Sequence, residues 1–141
     1  MVDFFKIFII LFSAEFNDAI LNVVGTYSGF AGGICSKLNL QATLEECWFD
    51  GVIYTTGRGA GGILGDVLGS RVTISHCLFS GEINSTWDFS GSRTGGLVGR
   101  IAEEGAGLVL TDCLSTGVIN AATIYYTGSV IGTTTKNTSL T

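Results

Sequence analysis

Apolar and polar residues alternate in the same way in four segments of the chain. These segments are ILFSAEF (10–16), CWFDGVI (47–53), CLFSGEI (77–83) and CLSTGVI (113–119). Alternation with a period of two residues is typical of a β-strand that buries one face. A glycine-rich segment follows each copy: AGGIC (31–35), AGGILG (60–65), TGGLVG (94–99) and TGSVIG (127–132). This internal repeat predicts an all-β architecture built from repeated units.

Within each seven-residue segment, positions 1, 3, 5 and 7 hold mostly apolar or very small residues, and we expect these positions to face the core. Glycine within a strand lets another backbone approach closely, so its presence in this set indicates a corner where opposing walls meet. The predicted core ladder comprises Phe12, Cys47, Phe49, Gly51, Cys77, Phe79, Gly81, Cys113 and Gly117.

Positions 2, 4 and 6 of each segment then face outward. Position 2 holds Leu11, Trp48, Leu78 and Leu114. An exposed apolar stripe usually marks a surface that is covered or contacted. We interpret this interaction stripe as the place where a loop of the same chain or a partner packs.

The residues around each copy extend the unit to a coil. Leu44, Ile74 and Leu110 each lie three residues before a cysteine, and the two polar residues between them predict a bend. The glycine-rich segment supplies a third extended stretch, so each coil has roughly three short strands. Four stacked coils predict a right-handed parallel β-helix, or β-solenoid. A β-sandwich is the main alternative, but it does not require the same seven-residue pattern four times.

This interpretation makes residues 1–141 a single domain. The four repeats span approximately 6–43, 44–73, 74–107 and 108–141, and the additional residues fall into loops over 17–29, 84–93 and 100–107.

The motifs resemble the GLUG repeat family, whose repeats carry a Gly-Gly-Leu-Val-Gly core and a Cys-x-x-x-Gly strand. TGGLVG (94–99) and TDCLSTGVIN (111–120) match it most closely, and the resemblance covers nearly the whole chain. The first copy departs from the pattern with Ile10 and Ala14, and the last with Ser129. The resemblance implies a secreted or surface-anchored microbial protein of the adhesin-like kind. It says little about function, because solenoids have many roles.

Composition limits the partners. With 21 glycines, no proline, 46% hydrophobic and 13% charged residues, the chain is neither typical of disorder nor of helix. A net charge of −5 with seven basic residues offers no evident phosphate-neutralising patch, so we expect no nucleic-acid partner. No segment has the roughly 20 apolar residues that span a bilayer, so we expect no membrane insertion. Residues 1–14 resemble a short secretory signal, but Asp3 and the repeat alignment favour a first strand.

Three cysteines of the core ladder occupy equivalent rungs, which cannot all pair and whose side chains point in parallel. We therefore interpret them as buried free thiols rather than disulfides or redox groups. The chain has no Cys-x-x-Cys pair, so we predict no metal site and no cofactor.

His76 is the single histidine, and the repeat places it between Glu46 and Asp112 of neighbouring coils. An acid–base or metal site is one interpretation of this group. Three solvated polar residues at an exposed bend are the simpler one.

Enzymatic chemistry has little support, and we predict no catalytic residue. Adjacent acids such as Glu45-Glu46 point to opposite sides of a strand, and no basic cluster is evident that could hold an acidic sugar. GRGAGG (57–62) and GSRTGG (91–96) lack the Lys-Ser/Thr ending and following helix of a phosphate loop. We interpret them as turns whose glycines adopt positive φ. A polysaccharide lyase or hydrolase is the least favoured alternative.

Two loop features are candidate binding or modification positions. Trp87 and Asp88 form a candidate ligand loop, and Asn84 and Asn137 begin N-glycosylation sequons in predicted loops or tails.

These features favour a structural or interaction module that lies outside the cell or on its surface. Because coil ends without caps expose unpaired backbone groups, we expect head-to-tail self-association or docking with neighbouring solenoid segments. A glycan- or protein-binding adhesin module, which contacts a glycan or a host or cell-surface protein through its long loops, is the alternative.

Overall fold

The computed structural model describes residues 11–12, 15–23, 29–39, 41–69, 71–87, 92–122, 126–135 and 139–141, with the backbone alone at 11–12, 15–23 and 139. These residues form β-strands and no helix, and every strand pairing among them is parallel. The predicted all-β class is confirmed. The strands are β1 (Leu11–Phe12), β2 (Glu15–Val23), β3 (Phe30–Gly32), β4 (Cys35–Leu38), β5 (Ala42–Glu45), β6 (Trp48–Thr55), β7 (Gly59–Gly61), β8 (Leu64–Val67), β9 (Val72–Ser75), β10 (Leu78–Phe79), β11 (Glu82–Ser85), β12 (Arg93–Gly95), β13 (Val98–Ile101), β14 (Gly107–Thr111), β15 (Leu114–Ser115), β16 (Val118–Ala121), β17 (Thr127–Gly128), β18 (Ile131–Thr134) and β19 (Ser139–Leu140).

The chain passes through four sheets, always in the same order. The first sheet has the order β1-β5-β9-β14-β19, the third has β17-β12-β7-β3, and the fourth has β18-β13-β8-β4. In the second sheet β6 pairs with β2 on one side and with β10 and β11 on the other, and these pair with β15 and β16. We call one passage a circuit: β1–β4, β5–β8, β9–β13 and β14–β18 are circuits 1 to 4. Each circuit therefore lays its strands beside those of the circuit before.

Each circuit uses four sheets, so the expectation of roughly three strands per coil was wrong. The glycine-rich segment holds two short strands rather than one. In circuit 2, β7 ends at Gly61 and β8 begins at Leu64, and the chain turns at Gly62 and Ile63 between them.

The corner between the first and second sheets is built alike in three circuits. Glu46, His76 and Asp112 each adopt a left-handed backbone conformation, with φ of 54°, 52° and 50°. This conformation is uncommon for residues other than glycine, and it turns the chain sharply at one position. The bend predicted between Leu44, Ile74 or Leu110 and the following cysteine lies at this residue.

The parallel register pairs the equivalent residues of the last three sequence copies. Trp48 lies beside Leu78 and Leu78 beside Leu114, while Phe49 lies beside Phe79. The pairs Ile53–Ile83 and Ile83–Ile119 follow the same alignment.

The predicted alignment of the first copy was wrong. Leu11 pairs with Thr43 and Phe12 with Leu44, so both belong to the first sheet and neither continues the column of Trp48 or Phe49. Ile10 and Ala14 lie outside the described residues.

The residues that continue those columns come four positions later than predicted. Glu15 pairs with Trp48 and Phe16 with Phe49, and the register then shifts between Asn17 and Ala19, which pairs with Gly51. The extra residue in a bulge of this kind breaks the seven-residue pattern. Residues 17–23 therefore belong to strand β2, although a loop was predicted over 17–29.

The core lies between the sheets and is filled by columns of like residues. Cys47, Cys77, Phe49 and Phe79 are buried, and the two rings stack with centroids 6.3 Å apart and an interplanar angle of 18°. Aromatic contacts of this kind stabilise a core beyond the area that they bury. Further apolar columns of the strands and turns are also buried in circuits 2 and 3: Leu44, Ile74, Ile53, Ile83, Ile63, Leu97, Leu64 and Val98.

The glycine-rich motifs are required for close packing. A Cβ atom added to Gly62 would lie 2.2 Å from both the Gly96 carbonyl oxygen and Cγ of Phe79. Gly33 faces Phe49 in the same way, and a Cβ atom on Gly81 would lie 2.1 Å from the Gly51 carbonyl oxygen. Among the described glycines only Gly105 has a positive φ. The expectation of positive-φ turns in GRGAGG and GSRTGG is therefore wrong for their described glycines, which instead leave room for the opposing ring and backbone.

Candidate functional site

Three of the four residues of the predicted interaction stripe, Trp48, Leu78 and Leu114, lie side by side on the second sheet. Trp48 and Leu78 are half-buried on the second sheet, and Leu114 is 57% exposed. The indole Nε1 of Trp48 donates a hydrogen bond of 2.8 Å to Oγ of Ser80, which holds the ring along the strand. Exposure of the stripe therefore increases toward circuit 4.

A shallow depression of about 490 Å³ lies beside this stripe on the same sheet. Asp50, Glu82 and Val118 are among the residues that line it. Glu82 Oε1 accepts a hydrogen bond of 2.8 Å from Nδ2 of Asn120. The carboxylates of Asp50 and Glu82 therefore line the same surface depression.

The predicted loop and modification positions differ in their surroundings. Trp87 is half-buried, while Asp88 and Asn137 lie outside the described residues. Asn84 lies in strand β11 and not in a loop, and its Oδ1 accepts a hydrogen bond of 3.0 Å from Nδ2 of Asn120. The predicted loop over 84–93 therefore begins only after Ser85.

His76 lies at an exposed corner between two acids. Its Nδ1 is 3.9 Å from Oε1 of Glu45, and its Nε2 is 3.7 Å from Oδ2 of Asp112. Glu46, which was expected beside it, occupies the equivalent backbone position, but the nearby carboxylate is that of Glu45. No group of three or more His, Cys, Asp or Glu side chains suited to a metal ion occurs among the described residues.

The cysteine column ends in an unusual thiol. All four cysteines are free, and Cys113 is only half-buried, whereas Cys47 and Cys77 are buried. A hydrogen bond with the Cys77 thiol lowers the pKa of Cys113 to about 6, although burial opposes this effect. The same hydrogen bond, together with burial, raises the pKa of Cys77. Cys113 is therefore more accessible than the buried core thiol that the repeat predicts, and its pKa is lowered.

We expect iodoacetamide to alkylate Cys113 at a rate that reaches half its maximum near pH 6, because the thiolate is the reacting form. Peptide mass spectrometry after timed labelling measures this rate. Replacing Cys77 with alanine removes the hydrogen bond and is expected to move the midpoint to higher pH. A wild-type rate that rises only above pH 8 would contradict this assignment.

Basic residues from distant parts of the sequence meet at the outer side of the third and fourth sheets. Lys37, Asp66 and Arg100 pair in register along the fourth sheet. Arg58 precedes strand β7 and lines a cavity of about 350 Å³ together with these three residues and Phe30. The expectation that the chain has no basic cluster was therefore wrong.

The repeat contains a signal for this cluster. Lys37, Asp66 and Arg100 each follow the second glycine of their glycine-rich segment by four residues. The alternating signs at this position become visible only when the glycine-rich segments, rather than the cysteine strands, are aligned.

The last circuit leaves its core columns partly open. In the column that contains Ile63 and Leu97 the next residue is Val130, which is 40% exposed. Leu110, Cys113, Ile119 and Ile131 pack against the core but are only partly buried. In the described part of the chain, no strand pairs with the far edges of β15, β16, β17 and β18.

The described residues include no helix that is long and apolar enough to cross a membrane. Comparisons of the chain with protein-family models, with curated proteins and with solved structures find no match.

Proposed function

We propose that the four sheets form a right-handed parallel β-helix and that the protein is a structural module that associates end to end. The repeated order of the sheets and the uniformly parallel pairing support the helical path. Crossovers between parallel strands are right-handed in about 98% of cases, which supports the hand. The GLUG resemblance and a location outside the cell or on its surface belong to this proposal.

The partly open core of circuit 4 carries the proposal. Apolar positions that are fully buried in circuits 2 and 3 are accessible in circuit 4. Leu97 of circuit 3 is buried, whereas Val130, the equivalent residue of circuit 4, is exposed. Burial of apolar area stabilises association by roughly 25 cal/mol per Å². A further circuit placed on this end would bury these columns as circuit 3 buries those of circuit 2.

The backbone at this end is not protected against pairing. Edge strands are usually blocked by charged residues, by proline or by a bulge. Residues 113–135 contain no Asp, Glu, Lys or Arg, and the whole chain contains no proline. The edge formed by β15 to β18 is therefore suited to accept another strand in each sheet.

A second copy of the chain fits this edge. Strands β2, β3 and β4 lie at the opposite ends of their sheets from the strands of circuit 4, and in the first sheet β1 lies at the opposite end from β19, which pairs with β14. Because all pairings are parallel, a copy translated along the axis presents its circuit 1 to β19 in the first sheet and to circuit 4 in the other three sheets, with the same strand polarity. Such a heterologous contact does not close on itself and produces a filament. A neighbouring solenoid segment of a longer chain would use the same edge.

The glycan- or protein-binding alternative uses the flank of the module instead of its end. Leu114, Val118 and Tyr54 are exposed on the second sheet, where they could contact a partner. Leu114 and Val118 belong to the edge strands β15 and β16, so this surface adjoins the open end.

Replacing Ala121 with proline is expected to prevent self-association while it leaves the fold intact. Val118 and Ala122 donate their N–H groups to Gly81 and Ser85 of circuit 3. Because successive peptide groups of a strand point to opposite sides, the N–H of Ala121 points to the open edge. Proline removes this donor and is tolerated where the N–H of an edge strand faces outward.

Size-exclusion chromatography with light scattering at micromolar concentrations measures the effect. The wild-type chain and the matched control Ala121→Ser, which keeps the N–H, are expected to elute as oligomers. Ala121→Pro is expected to elute at 14.8 kDa with an unchanged melting temperature. A monomeric wild-type chain throughout the concentration series would overturn the proposed function.

A further inference from the structure

The cavity on the fourth sheet combines a fixed guanidinium group with two exposed cations. The carboxylate of Asp66, which is 2% exposed, accepts hydrogen bonds from Nε of Arg100 at 2.9 Å and from Nη2 at 2.5 Å. The guanidinium carbon of Arg100 also lies 4.4 Å from the centroid of the Phe30 ring. These two contacts fix the plane of the guanidinium group. The side chain of Arg100 therefore loses little conformational entropy when a ligand binds, which favours binding.

The contacts of Arg100 leave part of its hydrogen-bonding capacity unused. A guanidinium group has five N–H donors. Two of those of Arg100 bind Asp66, and the described residues provide no hydrogen-bond acceptor for the others. Arg100 itself lines the cavity, so donors of a charged group remain beside an open space of about 350 Å³.

Positive charge accumulates here beyond what Asp66 neutralises. Lys37 and Arg58 line the same cavity and are exposed, and neither forms an ion pair with a described acidic residue. Arg93 lies close by, and burial, followed by the charges of Arg100 and Arg58, lowers its pKa. Three of the seven basic residues of an acidic chain thus line the same cavity as one carboxylate.

We propose that this cavity binds the oxyanion group of a small organic acid, a carboxylate, sulfate or phosphate, with Arg100, Arg58 and Lys37 as its ligands. A planar guanidinium group donates two parallel hydrogen bonds to such groups, and the exposed cations complete the charge balance. A cavity of this size is at the lower end of the range of small-molecule sites, about 300–1,000 Å³, so it accommodates more than a bare ion. The site lies on the flank of the sheets and is independent of the open end.

Calorimetric titration of the full chain with glucuronate, glucose 6-phosphate, inorganic phosphate and glucose tests the proposal. Glucose is the neutral counterpart of both acidic sugars. We expect at least one acidic sugar to bind, glucose to show no binding, and inorganic phosphate to bind more weakly than glucose 6-phosphate if phosphate is the preferred group. The comparison of glucuronate with glucose 6-phosphate identifies which oxyanion the site prefers. Equal binding of glucose, or no binding of any anion at millimolar concentration, would overturn it.

Variants on the exposed residues avoid loss of the fold. Arg58→Gln is expected to weaken binding of the preferred anion about tenfold, because a hydrogen bond to a charged group contributes roughly 1.5 kcal/mol. Arg71→Gln removes the same charge at an exposed position that lines a different depression, and it is expected to leave binding unchanged. An equal loss in both variants would show attraction by net charge alone and would contradict a site at this cavity.

Discussion

Replacing Gly62 with alanine is expected to destabilise the protein by about 3 kcal/mol, at the upper end of the usual cost of overpacking a core. The added methyl group would overlap the carbonyl oxygen of Gly96, in the equivalent turn of circuit 3, and the ring of Phe79 across the core. Neither neighbour has room to move, because Phe79 is fully buried and stacks on Phe49. Urea unfolding followed by tryptophan fluorescence measures the change in free energy.

Ser129 provides a matched control for this substitution. It occupies the equivalent position in circuit 4, where its carbonyl oxygen faces Gly96, and it already carries a Cβ atom. Ser129→Ala is therefore expected to change stability by less than about 0.5 kcal/mol. If Gly62→Ala were as mild as the control, the close packing of the glycine column against the phenylalanine rings would be wrong.

Replacing Arg100 with methionine is expected to cost about 3–5 kcal/mol, which is typical when one partner of a buried ion pair is removed. Arg100 is 17% exposed and Asp66 only 2%, so the remaining carboxylate would stay buried beside the cavity without its hydrogen-bonded cation. The contact between the guanidinium group and the Phe30 ring would be lost as well. Thermal and urea unfolding measure this loss.

The double variant Asp66→Asn/Arg100→Met separates the buried charge from simple loss of packing. With neither charge of the buried pair left, about half of the lost stability is expected to return, because an amide costs less to bury than a carboxylate. Arg58→Gln, at an exposed position, is expected to stay within about 0.5 kcal/mol of the wild type. A double variant as unstable as Arg100→Met alone would contradict the importance of the unpaired carboxylate.

The sequence predicts the register of the second sheet in circuits 2 to 4 because side chains on a buried strand face must alternate. Cys47, Phe49 and Ile53 repeat as Cys77, Phe79 and Ile83, and the strands pair in that alignment. Circuit 1 lacks the cysteine and glycine markers and contains an irregularity between Asn17 and Ala19. A shift of four residues leaves a pattern with a period of two unchanged, so Leu11 and Phe12 were placed in columns that Glu15 and Phe16 occupy.

The roles of the glycines and of the basic residues depend on contacts between circuits. A glycine-rich segment read alone is typical of a flexible turn, and only the opposing Phe79 ring shows why Gly62 has no side chain. Likewise Lys37, Arg58 and Arg100 are far apart in the sequence and meet because successive circuits pair in register. Charge composition alone cannot show such a cluster in an acidic chain.

Electron cryo-microscopy of the wild-type chain at micromolar concentration tests the proposed end-to-end assembly most directly. Four circuits, with β19 as a fifth strand in the first sheet, stacked at a strand spacing of about 4.8 Å predict a filament with an axial rise of about 19–24 Å for each copy. Every copy in that filament has the same polarity, with strands perpendicular to the axis that pair across the contact between copies. Uniform monomers, or closed two-fold dimers with no axial repeat, would contradict the account.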